Sequence, residues 1–238
     1  MILRRIGRKL HKMTHPVLAE VWMLHRVVTN RSDVPDERTL EVTPNWLQQH
    51  IGQHLSKGGQ FVSIDTLVQE LQQPSRRRKP TIVITFDEGC RETIAHSLPL
   101  FQQYQIPFAL FVTTDFIAGA HPIAWYNRQP PMMDWDELVA LSHNPLCTIG
   151  AHTVTHPHLC QLSKEHVLSE LTLSKQILEE RLNIPIQYFS YPFGERNATV
   201  MGCVRQAGYT AAFEAWGGPV RTGADRYNLP RIPFTSPV

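Results

Sequence analysis

Thr81-Ile-Val-Ile-Thr-Phe86 runs directly into Asp87-Glu88-Gly89. An unbroken apolar and β-branched run of this kind belongs to a strand covered on both faces, as in a parallel sheet. Parallel strands need crossovers, usually helices, and the flanking sequence supplies them. Downstream come a helix through Tyr104, the strand Phe108-Ala-Leu-Phe-Val112, a helix from Trp135 to Leu141 and the strand Thr148-Ile-Gly150. Ser163 caps a helix whose Val167, Leu171, Leu178 and Leu182 share one stripe, and Asn183 ahead of Pro185 stops it. Tyr188-Phe-Ser190, a helix from about Ala198 to Ala207 closed by Gly208, and Tyr209 to Phe213 continue the alternation toward Leu229-Pro-Arg-Ile232. Upstream, Ala19 to His25 reads as a strand and Thr43-Pro44 opens a helix that stops at Gly58-Gly59. Phe61 to Ser63 is a short strand, and Ser63 caps a helix carrying Leu67, Val68 and Leu71. About seven βα units result, the pattern of a closed or nearly closed α/β barrel.

The chain has 238 residues, 42% hydrophobic and 18% charged, which fits one globular domain over 1–238 with 1–15 as a basic N-terminal extension. Its 23 Lys and Arg against 21 Asp and Glu give a net charge of +2, so there is no global drive toward nucleic acid. The run Arg76 to Lys79 is the one local exception, and such runs are usually solvated loops. Cys90, Cys147, Cys160 and Cys203 include no C-x-x-C pair and read as buried free thiols. No stretch approaches the roughly 20 apolar residues that cross a bilayer. The start also lacks the apolar block of a signal peptide, so the expected location is cytoplasmic. Arg4, Arg5, Arg8, Lys9 and Lys12 alternate with Ile2, Leu3, Ile6, Leu10 and Met13, a segment that either touches anionic lipid at the inner membrane or packs on the domain.

Catalytic groups in such barrels gather at the carboxyl ends of the strands. Three polar motifs occupy those ends: Asp87-Glu88, Ala151-His-Thr-Val-Thr-His156 and Tyr191-Pro-Phe-Gly194. With twelve His in the chain, a four-residue spacing between His152 and His156 is weak evidence alone. At a strand end it places two imidazoles where they can share a metal ion. Pro157 biases His156 away from the right-handed helical region, so a tight turn is expected there. Two adjacent carboxylates after a buried strand repel each other and lose hydration, which a cation would relieve. The alternative is that Asp87 or Glu88 caps the next helix.

Thr85-Phe-Asp-Glu-Gly89, His152-Thr-Val-Thr-His156 and Tyr191-Pro-Phe-Gly194 resemble, in order and spacing, the motifs of polysaccharide deacetylases of the NodB-homology group. Leu24-His-Arg-Val27, Trp135-Asp-Glu-Leu138 and Leu229-Pro-Arg-Ile232 extend the likeness over most of the chain. The resemblance implies a distorted (β/α)7 barrel and a metal-dependent hydrolase that removes N-acetyl groups from an acetamido sugar, in lipopolysaccharide or exopolysaccharide biosynthesis. By position, Asp87 matches the catalytic base and Glu88, His152 and His156 match the metal ligands. Zinc is the expected ion, with cobalt or nickel acceptable to the same donors. A backbone N–H near Phe193 matches the oxyanion donor.

The chain departs from the family pattern at three places. The second aspartate is Glu88, one methylene longer; Ser190 stands where many members carry an arginine that orients the base; and the late Leu-x-His is absent, since Leu229 is followed by Pro230 and Arg231. His25, at an early strand end, is the candidate general acid, with a packing role as the alternative. These departures leave a second reading, a catalytically silent carbohydrate-binding barrel. Trp125, Tyr126, Tyr191 and Trp216 are candidate sugar platforms, with rim or core packing as the alternative for each.

Overall fold

The computed structural model describes residues 15–72 and 79–236. The basic segment 1–14 and the cations at 76–78 lie outside the described residues, as do the lipid-contact and nucleic-acid readings that rest on them.

The chain opens with β1 (Val17–Leu24), β2 (Arg26–Val27), α1 (Pro35–Arg38), β3 (Glu41–Val42) and α2 (Pro44–Ser56). Thr43 Oγ1 accepts from the Trp46 N–H and Pro44 sits in the first turn, so α2 begins where the capping signal places it. Then come β4 (Gln60–Phe61), α3 (Ile64–Gln72), β5 (Thr81–Glu88), α4 (Arg91–Tyr104), β6 (Phe108–Val112), α5 (Trp135–Ser142) and β7 (Cys147–Ala151). The chain continues through α6 (Lys164–Leu182), β8 (Tyr188–Ser190), α7 (Ala198–Gln206), β9 (Ala211–Phe213), β10 (Val220–Arg221) and β11 (Ile232–Pro233). No helix among the described residues is long and apolar enough to cross a membrane.

The strands curl in the order β10-β1-β5-β6-β7-β8-β9, with consecutive pairs from β1 to β9 parallel. Every residue of β5 is buried, the outcome its apolar sequence requires of a central strand. β5 runs two residues further than the sequence suggests: Asp87 pairs with Phe111 and Glu88 with Val112, so both carboxylates leave from the ladder itself. Neither caps α4, whose N-cap is Cys90 without a side-chain hydrogen bond.

The gap between β9 and β1 is spanned by residues 229–233. Leu229 bridges in parallel to Phe213, and β11 pairs Ile232 with Trp22 of β1. Arg231 lies between these contacts and is fully buried. The cysteines are all free, as expected, but Cys160 is exposed and Cys147 only half-buried. Cys160 lies in the short turn Leu159–Gln161 rather than on an inward face of a helix or strand.

Candidate active site

At the carboxyl ends of the strands, a cavity of about 460 Å³ is lined by His25, Asp87, Glu88, His152, His156 and Phe193. All six sequence-derived candidates therefore open on one hollow, with Trp125, Tyr191 and Trp216 at its walls. Tyr191 is a core residue there, its hydroxyl donating to the Tyr227 carbonyl, and Tyr126 is buried away from the cavity lining.

Asp87 is held by a residue that the sequence did not nominate. Arg231 Nη1 donates to Asp87 Oδ1 at 2.8 Å and Nη2 donates to Oδ2 at 2.7 Å, a two-pronged contact between planar groups. Arg231 also donates to Ser190 Oγ at 2.7 Å and to the Glu214 carbonyl at 2.8 Å. Serine at 190 thus leaves room for a guanidinium arriving from the barrel's closing segment, and Asp87, the expected base, keeps an arginine partner. Burial pushes the Asp87 carboxyl up, but Arg231 and His152 outweigh it and hold the group well below the usual carboxylate range.

The motif His152-Thr-Val-Thr-His156 is a turn, not a helix, and His156 has φ 59°, outside the right-handed region as Pro157 requires. Thr153 (φ 70°), Glu88 (φ 79°) and Phe193 (φ 56°) are left-handed as well, so strained backbone collects at the cavity wall. The His156 N–H donates to Thr153 Oγ1 at 3.0 Å. From α6, Glu170 accepts from the Val154 and Thr155 N–H groups at 2.8 and 3.0 Å and from Thr155 Oγ1 at 2.8 Å. Glu170→Ala removes three charge-assisted bonds from this turn and is expected to cost about 1.5–3 kcal/mol in urea unfolding; an unchanged midpoint would show the turn is held by its own strain.

His152 Nδ1 lies 2.7 Å from the Ser190 carbonyl. A carbonyl only accepts, so this nitrogen carries the proton and Nε2 keeps its lone pair. His156 Nε2 lies 3.1 Å from His152 Nε2. Burial lowers the pKa of both rings, leaving them neutral, the form that ligates metal. Trp125 and Phe193 each lie 4.6 Å from the His156 ring and hold it in place.

A divalent cation fits this imidazole pair, but Glu88 does not complete a triad. Among the described residues no three His, Cys, Asp or Glu side chains are grouped to hold a metal ion. The Glu88 carboxylate interacts electrostatically with Asp87, Arg26, Cys90 and Tyr126. Its buried Oε2 has no hydrogen-bond partner among the described residues, and neither has His156 Nδ1. The three-ligand expectation thus meets two gathered donors and a third carboxylate, on a longer arm and a left-handed backbone, that lines the cavity separately.

Burial, with Asp87 adding to it, pushes the Glu88 carboxyl up to about 8. A carboxyl raised from 4.5 contributes stability that is complete below pH 4.5 and lost as pH rises through 8. The buried His groups act in the opposite direction and only below their ordinary value of 6.5. In chelator-treated protein the thermal midpoint should therefore fall from pH 6.5 to 8, and Glu88→Gln should flatten that slope. Equal slopes in both proteins would mean Glu88 is ionised throughout.

His25 follows β1 and lines the cavity half-buried. Burial lowers its pKa to about 4, against the opposing pull of Asp87, so the ring is neutral at rest.

A family model described as polysaccharide deacetylase matches residues 75–212. Similar solved structures include the Streptococcus pyogenes deacetylase PplD in complex with acetate (21% identity, 92% of this chain and 93% of that one, TM-score 0.79). IcaB from Ammonifex degensii is similar at 20% identity over the same shares, with a TM-score of 0.80. The Bacillus subtilis (strain 168) protein YxkH is 20% identical over 221 residues, 93% of this chain and 73% of its own.

Proposed function

The chain belongs to the polysaccharide deacetylase family, and on that premise we propose that it hydrolyses the N-acetyl group of an acetamido sugar in a polysaccharide or surface-glycan precursor. What carries this reading is the buried Asp87 carboxylate, ionised by Arg231 and 3.9 Å from His152 Nε2, in a cavity shared with the neutral His25.

An amide resists hydrolysis because its carbonyl is a poor electrophile and its nitrogen a poor leaving group. Asp87, kept deprotonated by Arg231, takes the proton of the attacking water. His25 delivers a proton to the departing nitrogen. Since His25 is neutral at rest, that proton is the one released by the water and moved across the cavity, not one stored on the ring. The Phe193 backbone, left-handed and on the cavity wall, is the proposed oxyanion donor. His152 and His156 would hold a divalent cation, zinc being preferred, and when bound it would polarise a carbonyl and lower the pKa of water; Glu88, the third donor in the family pattern, is not grouped with them.

A second reading follows from the ungathered Glu88: a barrel that binds carbohydrate without cleaving it. Elemental analysis of protein purified without chelator, followed by acetate release from a panel of acetamido sugars, separates the two. Bound metal with acetate release supports the hydrolase, whereas metal-free, inert protein supports the silent barrel. In the hydrolase, His25→Ala is expected to slow acetate release by about 10²–10⁴-fold with metal content unchanged. Undiminished turnover would remove His25 as the acid.

A further inference from the structure

Residues 229–233 seal the barrel and carry Arg231, yet the segment has little ladder of its own. Its strand β11 is two residues long, and Pro230 and Pro233 remove two of the four amide donors between 230 and 233. Backbone bonds fasten the two ends instead. At the start, the Leu229 N–H donates to the Ala212 carbonyl at 3.0 Å, and the Leu229 carbonyl accepts from the Glu214 N–H at 2.9 Å. At the finish, the Phe234 N–H donates to the Met23 carbonyl at 2.8 Å. Leu229 is held by its side chain as well, which is fully buried in the barrel core. The corresponding side-chain anchor at the far end is Phe234.

The Phe234 ring stacks on Trp22, with centroids 3.9 Å apart and planes 12° apart, and lies tilted against Trp46 at 4.4 Å. His50 meets it edge-on at 5.3 Å. Offset and edge-to-face pairs of this kind contribute beyond the area they bury. The slot is itself braced: Trp22 packs edge-on against Phe61 and His54, and Trp46 lies 3.9 Å from the His50 ring. Its walls belong to β1 and α2, so one ring ties the closing segment to both.

Extended backbone sends neighbouring side chains to opposite sides. Pro233 and Thr235 line the active-site cavity, whereas Phe234 between them does not. Three residues before that ring, Arg231 makes its two-pronged contact with Asp87. The guanidinium is thus suspended between Leu229 in the core and Phe234 in the slot, and a segment released at one end would let it swing off the carboxylate. We propose that Phe234 is a positioning residue: its ring, clasped by Trp22 and Trp46, seats Arg231 on Asp87. The catalytic consequence rests on the deacetylase reading; the seating itself does not.

The test compares the intact protein with Phe234→Ala and Phe234→Tyr by hydrogen exchange read in a mass spectrometer, urea unfolding and acetate release. In Phe234→Ala, peptides spanning 229–236 should exchange at least about tenfold faster while those of β5, β6 and β7 keep parental protection. Phe234→Tyr, which retains the ring, should restore most of that protection. The drop in urea midpoint caused by Arg231→Met should be at least about halved in the Phe234→Ala background, the coupling expected of residues that act through one another. Because the ring stands outside the cavity, kcat for acetate release should fall about 10–10²-fold with KM within about twofold, and Phe234→Tyr should recover it. If Phe234→Ala does not fold, Phe234→Leu carries the same readouts. Unchanged exchange at 229–236, exchange raised equally throughout, or an undiminished Arg231→Met effect overturns the seating. A loosened segment with parental kcat overturns the positioning role. A parent protein that releases no acetate overturns the hydrolase reading, and exchange and coupling still decide the seating.

Discussion

Arg231→Met is expected to destabilise the protein by about 3–5 kcal/mol and to abolish turnover, because it leaves the Asp87 carboxylate buried without its partner. The guanidinium is fully buried and also donates to Thr85 Oγ1, Ser190 Oγ and the Glu214 carbonyl, so its loss would leave these buried acceptors without their donor as well. Methionine fills similar space and removes the charge, which separates electrostatics from packing. Arg231→Lys should fall between, since one ammonium cannot span both carboxylate oxygens. Combining Arg231→Met with Asp87→Asn should restore part of the stability while leaving activity absent, the signature of a coupled pair in a double-mutant cycle. Denaturant midpoints read the stability effect. A single-variant midpoint equal to that of the parent would show that the pair contributes nothing net to folding.

The second large effect is on chemistry. Asp87→Asn should lower acetate release by about 10²–10⁴-fold through loss of the base alone. Because the amide also mismatches Arg231, rates need to be referred to the folded fraction followed by circular dichroism. The histidine pair should be unaffected: His152 Nε2 is 3.9 Å from Asp87 Oδ2, beyond hydrogen-bond range, and its Nδ1 is fixed by Ser190. Metal content should accordingly survive the substitution. Turnover that survives as well would place the base elsewhere, and metal lost with turnover would make Asp87 a ligand.

The barrel was legible because its strands are written as short β-branched runs and its helices as periodic stripes with good caps. β6 and α6 lie where those patterns put them, and β5 does so with two residues added at its end. The candidate residues were legible for a related reason: each closely follows or ends such a run, and parallel topology gathers strand ends on one rim. Arg231 was not, although Leu229-Pro-Arg-Ile232 was recognised as the closing segment. Its partner is 144 residues away, and chain order alone does not say that the barrel's closing segment will deliver a cation to β5. The only available signal was the demand itself, a buried Asp87 with Ser190 where an arginine was expected. The direction taken by Glu88 was equally hidden, since sequence places a carboxylate on a strand but does not choose its rotamer. α1, β2 and β3 are too short for periodicity to reveal them.

The guanidinium that keeps Asp87 ionised travels on the stretch that seals the barrel. Synthesis from the N-terminus therefore makes the strand ends that carry His25, Asp87, Glu88, His152 and His156 before Arg231, and a nascent or clipped polypeptide stopping short of Leu229 lacks the cation that pairs with Asp87. Fraying at this seam would silence the protein while its helices persist, so loss of function should precede loss of far-ultraviolet ellipticity on gentle heating.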